Sequence, residues 1–210
     1  MIDGQNYSID FFHNAPLFAG KVGDKLRKFH LSAAWDHSTV SGMNLEFGVF
    51  NGLTLNALAR KIAPEKVYGF DSFEGLPETW AMTETESLDQ GVFAVDNLPR
   101  VESNVELVVG WFDQTLPQFL LQHQEPAKFL HIDCDLYSST LFVLRELNAR
   151  IQPGTVIVFD ELYAWHNPKL YTNWAQGEYA ALQDWITEFN RTISVIYRTD
   201  YFQCSIMVES

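Results

Sequence analysis

Basic residues are scarce: 14 Lys and Arg stand against 27 Asp and Glu, for a net charge of −13. No Lys/Arg cluster or basic stripe exists, so the sequence lacks the footprint of a nucleic-acid binder. An acidic surface also disfavours anionic lipid and is the ordinary dress of a well-solvated protein. Cysteine is nearly missing. Cys134 and Cys204 are the only two, too few for a disulfide framework or a zinc pattern, and two reduced thiols suit the cytoplasm. No apolar run approaches the roughly 20 residues of a membrane span. The opening Met1–Asn6 is polar, without the basic start of a secretory leader. Repeats and low-complexity tracts are absent too. What remains is 210 residues, 47% hydrophobic, enough for one domain with a sizeable core.

From residue 43 short apolar runs alternate with longer amphipathic ones. MNLEFGVF, KVYGFD, NVELVVG, KFLHID and GTVIVFD read as strands. LTLNALARKI, QTLPQFLLQH, SSTLFVLRELNAR and EYAALQDWITEFN read as helices, and TISVIYRT with QCSIMVES as a closing hairpin. Strands separated by helices predict an α/β layered fold with a mainly parallel sheet, whose ligands bind beyond the carboxyl ends of the strands. Residues 1–42 are weakly helical and are expected to cover that end. Residues 77–104 are acidic, without a clean period, and predict an irregular helix or a long loop of the kind that forms lids.

Unusual polar residues gather where the strands end. The first strand leaves through Glu46-Phe47-Gly48-Val49-Phe50-Asn51-Gly52, a glycine turn leading into a helix with Thr54 in its first turn. Glycine permits sharp turns and close approach. The spacing is not the dinucleotide pattern, and no basic residue is present to hold phosphate. Asp71 ends the second strand, where a carboxylate can accept both hydroxyls of a ribose. Asp133 and Asp135 end the fourth strand; Asp160 and Glu161 end the fifth. If those strands adjoin, four carboxylates crowd together. They would repel and protonate unless a hard divalent cation such as Mg²⁺ neutralised them. Asp135, just before a helix, also suits a helix cap. His166, in ELYAWHNP, is a second candidate base.

LEFGVFNGLT, VYGFDSFEGLPE, GWFDQTLP, HIDCDLYSST and PGTVIVFDE resemble, in order and spacing, the macrocin O-methyltransferase family. The resemblance covers about residues 43–165. It implies a Rossmann-like class I methyltransferase fold: a seven-stranded, mostly parallel sheet with an antiparallel last strand. It implies S-adenosylmethionine as cofactor, Mg²⁺, and a sugar hydroxyl as acceptor. Glu46, Gly48 and Gly52 would line the methionine end, with Phe50 and Thr54 in the same turn. Asp71 would hold the ribose, and Ser72, Trp111 and Phe112 would surround the adenine. Asp133 would be the general base and Asp135, Asp160 and Glu161 the metal ligands. Glu161 departs from the family, which usually carries aspartate there. Two other readings stay open: methylation of a catechol or vicinal diol, and a non-catalytic domain that binds S-adenosylmethionine. Pairing of subunits through the amino-terminal region is a further expectation.

Overall fold

The computed structural model describes residues 7–18 and 24–210; the opening hexapeptide considered above lies outside them. Two amino-terminal helices, α1 (Ile9–His13) and α2 (Asp24–Trp35), precede the core. The core then runs β1 (Met43–Phe47), α3 (Leu53–Ile62), β2 (Val67–Asp71), a small hairpin of β3 (Trp80–Ala81) and β4 (Ser87–Leu88), β5 (Val105–Val109), α4 (Phe112–Gln122), β6 (Ala127–Ile132), α5 (Tyr137–Leu147), β7 (Ile151–Phe159), α6 (Glu178–Phe189), β8 (Ile193–Arg198) and β9 (Cys204–Val208). Each helix and strand expected from residue 43 onward forms, with ends shifted by a few residues. Residues 77–104 are an ordered loop that carries the small hairpin.

The large sheet has the order β5-β2-β1-β6-β7-β9-β8. Its first five members run parallel, while β9 is antiparallel to both β7 and β8. Thr199 and Gln203 close the last hairpin: Thr199 N–H donates to the Gln203 carbonyl at 2.9 Å, and the Thr199 hydroxyl donates to Gln203 Oε1 at 3.0 Å. The expected seven-stranded sheet with its antiparallel final strand is therefore present.

Both faces of the sheet are covered, so the central strands are buried throughout. The pleat sends alternate residues to opposite faces. Leu45, Phe47, Leu130, Ile132, Ile157 and Phe159 pack with α4, α5 and α6. Phe129, Val156 and Val158 pack with α2 and α3, whose contributions include Leu31, Ala34, Leu55 and Leu58. Strand order reverses at β1, with β2 on one side and β6 on the other. Such a switch point opens a crevice beyond the strand ends. No helix among the described residues is long and apolar enough to cross a membrane.

Candidate active site

A cavity of about 550 Å³ occupies that crevice, within the range of small-molecule sites. Its floor begins at the glycine turn. Gly48 has φ +92°, and a Cβ there would lie 1.7 Å from the Asp133 carbonyl oxygen. This glycine is needed because the backbone leaving β6 passes against it. Asp71 braces the turn. Its Oδ2 accepts from Val49 and Phe50 N–H, both at 2.8 Å, and its Oδ1 from Phe73 N–H at 2.7 Å. These bonds hold the non-glycine Phe50 at φ +49°, in the sparsely populated left-handed region.

Sheet register explains the carboxylates. Ile132 pairs with Phe159, so Asp133 and Asp160 leave the sheet side by side. Glu46 pairs with His131 on the face covered by α2 and α3, and the two side chains join at 2.8 Å. Thr54 donates to the other Glu46 oxygen at 3.0 Å. His131 Nε2 reaches Asp160 Oδ1 at 3.4 Å, and Gln203 donates to Asp160 Oδ2 at 3.3 Å. From α2, Arg27 bridges the pair, bonding Asp133 and lying 2.8 Å from Asp160. On the same face, fully buried His30 meets Ser205 at 3.0 Å.

The acids thus divide into two groups that share Asp133. His131, Asp133 and Asp160 form one; Asp133, Asp135 and Glu161 form the other, with oxygens within 4.8 Å of one another. Arg27 and His131 serve the first. Among the described residues no cation pairs with Asp135 or Glu161, and Glu161 Oε2 is buried without a partner. Hard oxygen donors and an orphaned buried oxygen fit a divalent cation. Asp135, held at φ +62°, does not cap α5; Leu136 takes the cap position.

Burial would lower the basicity of His131, but the Glu46 and Asp160 carboxylates outweigh it and raise its pKa to about 10. Burial and Asp160 push Asp133 up to about 7 against the pull of Arg27. Burial and neighbouring acids push Asp135 and Glu161 well above the usual range. Asp160 is the exception. Its burial cost is outweighed by Arg27 and His131, which hold it well below that range. Burial drops His30 to about 4.

Of the residues selected from sequence, Gly48, Phe50, Asp71, Ser72, Trp111, Phe112, Asp133, Asp135 and Glu161 line the cavity. Glu46 and Thr54 do not; they are buried behind the turn in the His131 row. Gly52, at φ +75°, lies against Pro99 and starts α3. Asp160 stands behind Arg27, so the four expected carboxylates do not converge on one point. Exposed His166 stacks on Tyr201 with ring centroids 4.3 Å apart, and it does not line the cavity. Two residues escaped sequence reasoning. Arg27 lies in a segment with no local motif. Glu178 lies at the start of α6, and its carboxylate accepts from Glu161 N–H at 3.1 Å.

A family described as a methyltransferase domain matches residues 45–162. The 8-demethyl-8-(2,3-dimethoxy-α-L-rhamnosyl)-tetracenomycin-C 4′-O-methyltransferase of Streptomyces olivaceus is 30% identical, over 58% of this chain and 53% of that protein. The chain therefore spans about half the length of this curated relative. Among solved structures, CalS11, a calicheamicin methyltransferase, superposes with a TM-score of 0.67 at 23% identity, covering 86% of this chain and 77% of the other. The O-methyltransferase from Bacillus cereus, solved in complex with SAH, gives 0.55 at 17% identity, covering 92% and 84%. These two share the fold.

Proposed function

This chain belongs to the methyltransferase-domain family, and from that premise we propose that it moves the methyl group of S-adenosylmethionine onto a hydroxyl of a sugar or glycosylated small molecule. One observation carries the reading. A single cavity is lined both by Asp71, Ser72, Trp111 and Phe112 and by Asp133, Asp135 and Glu161. The first set suits a nucleoside: a carboxylate for ribose hydroxyls and aromatic walls for a base. The second suits a hydroxyl that must lose a proton.

In this reading Gly48 and Phe50 shape the floor beneath the cofactor, and Asp71 holds the ribose while it braces the turn. Glu46, Thr54 and Gly52 act from behind by fixing the turn and the start of α3. The sulfonium methyl is already activated, so the protein's main task is to align the acceptor oxygen with it. The carbon–sulfur bond breaks as the carbon–oxygen bond forms, and the acceptor proton passes to Asp133. Asp135 and Glu161 would hold a hard divalent cation such as Mg²⁺, with Asp133 at its edge. Such an ion lowers the pKa of a bound hydroxyl. Asp160, committed to Arg27, His131 and Gln203, supports Asp133 from behind.

Calorimetric titration with S-adenosylmethionine and S-adenosylhomocysteine, with and without Mg²⁺, tests the cofactor half. Transfer of labelled methyl to rhamnosides and to catechols tests the acceptor half. Failure to bind either cofactor form sinks the proposal. Binding with transfer only to catechols replaces the sugar by a vicinal diol, and binding without any transfer favours a non-catalytic domain.

A further inference from the structure

We propose that Glu178 is a positioning residue for a divalent-cation site, fixing Glu161 from behind and adding a carboxylate charge beside Asp133, Asp135 and Glu161. The inference deepens the metal clause of the function proposed above and rests on it.

Helix α6 buries Ala181, Leu182, Trp185 and Ile186 along one stripe, and Glu178 occupies the next position of that same stripe. A carboxylate stands where the spacing calls for an apolar side chain, and it is 0% exposed. Its Oε2 accepts the Glu161 N–H at 3.1 Å, while its Oε1 has no hydrogen-bond partner. Glu161 Oε2 is likewise buried and unpartnered. Such a pair of orphaned acid oxygens is costly unless a cation or a proton compensates it.

Chain geometry brings the two acids together. Asp160 and Glu161 are adjacent at the end of β7, and both carboxylates lie close to Asp133. The Asp160 carboxylate pairs with Arg27 on α2, while the Glu161 backbone N–H is held by Glu178 on α6 and the Glu161 carboxylate joins Asp133 and Asp135. The start of α6 is pressed onto the Asp135 loop through Gly177. A Cβ at Gly177 would lie 1.9 Å from the Tyr171 hydroxyl and 3.7 Å from the Asp135 carbonyl oxygen. The start of α6 thus lies near Asp135 while Glu178 itself is bonded to Glu161. The nearby cations are engaged elsewhere: Arg27 serves Asp133 and Asp160, and His131 serves Glu46 and Asp160. No Lys, Arg or His among the described residues pairs with Asp135, Glu161 or Glu178. The missing positive charge on the α6 side is the gap an ion would fill.

Glu161 has a longer arm than aspartate and more rotamers to lose. Pinning its backbone N–H limits where its carboxylate can reach. Removing a residue that orients a metal ligand typically weakens affinity by about 10–100-fold.

The test uses the full chain and Mn²⁺ as probe, with free Mn²⁺ read by electron paramagnetic resonance. Glu178→Gln keeps size and the acceptor for Glu161 N–H but removes the charge. Expected results are Mn²⁺ affinity weaker by about tenfold or more, unchanged S-adenosylhomocysteine affinity, and a metal-free Tm no lower than wild type. Glu178→Asp restores the charge with a shorter reach and should recover part of the affinity; it also serves if the Gln variant fails to fold. Mn²⁺ affinity within about twofold of wild type in Glu178→Gln overturns the proposal, because the acid then acts as a neutral packing group. Wild-type protein that binds S-adenosylhomocysteine but no Mn²⁺ overturns it together with the metal clause, leaving methyl transfer standing. Loss of S-adenosylhomocysteine binding alone would fall on the function and not on Glu178.

Discussion

Asp133 answers to three demands at once. It borders both acid groups, bonds Arg27, and lines the cavity. As a base it works only when ionised. Its pKa is pushed up to about 7 in the metal-free chain, and a cation beside it would pull that value down, so turnover with Mg²⁺ should rise with pH and level off at or below about pH 7. Asp133→Asn should lower kcat by about 10²–10⁴-fold while the dissociation constant for S-adenosylhomocysteine, read by calorimetry, stays put. A variant that turns over normally would remove Asp133 from proton transfer. Its prominence was legible in the sequence, because two aspartates closing an apolar strand demand compensation. Glu46 was only half legible. An acid inside a fully buried strand had to have a partner, but that partner is His131, set opposite by strand register, and register needs the strand order. Arg27 was not legible at all, since nothing local marks the one basic side chain that reaches the site from α2.

Elements explain why that arginine matters. Helix α2 packs Leu31 and Ala34 onto the sheet, and Arg27 ties its first half to the ends of β6 and β7. Breaking a fully buried ion pair costs roughly 3–5 kcal/mol. The Arg27 side chain keeps 26% exposure and Asp133 can take up a proton, so Arg27→Met should cost less, about 2 kcal/mol. For a domain of this length the melting temperature would drop by roughly 4–8 °C, and amide exchange should quicken in α2 before the central strands. A drop without faster exchange in α2 would mean that the arginine stabilises the acids and not the helix. The elements themselves were largely legible from residue 43 onward: period-two and helical spacing, with glycine and proline at the breaks, located each one. The amino-terminal helices were legible only as weakly helical sequence without bounds, and the β3–β4 hairpin not at all, because their order comes from contacts with distant parts of the chain. Gly48 shows the same limit. Its glycine read as room for a ligand, whereas the space is filled by the Asp133 carbonyl. Gly48→Ala should therefore disrupt the β1–β6 junction and lower soluble yield or Tm, even with no cofactor present.

The whole molecule carries a net charge of −13, and within it Asp135, Glu161 and Glu178, buried or half-buried and unpaired with any cation among the described residues, gather in one place. This sets how stability depends on pH. His30, held near 4, and Asp160, held below the usual range, contribute stability that is fully present above about pH 6.5 and lost on acidification. The other groups run the opposite way. Asp133, Asp135, Glu161 and Glu178 are raised, chiefly by burial, so the folded chain holds protons that the unfolded chain has released. His131, raised to about 10, keeps its proton in the fold and loses that advantage as pH climbs from about 6.5 through 10. Above about pH 6.5 only the downward terms remain, so in chelator the melting temperature should fall as pH rises towards about 9. In the proposed function a divalent cation at Asp133, Asp135 and Glu161 would replace the lost protons. Binding to the folded state at a hundredfold excess over Kd adds about 2.7 kcal/mol. Calorimetric scans should therefore show millimolar Mg²⁺ raising Tm more at about pH 9 than at about pH 6.5. NaCl at matched ionic strength is the control for general screening. Equal shifts with both salts would assign the effect to the overall negative charge, whereas a Mg²⁺ shift that grows with pH assigns it to the acid group at the strand ends.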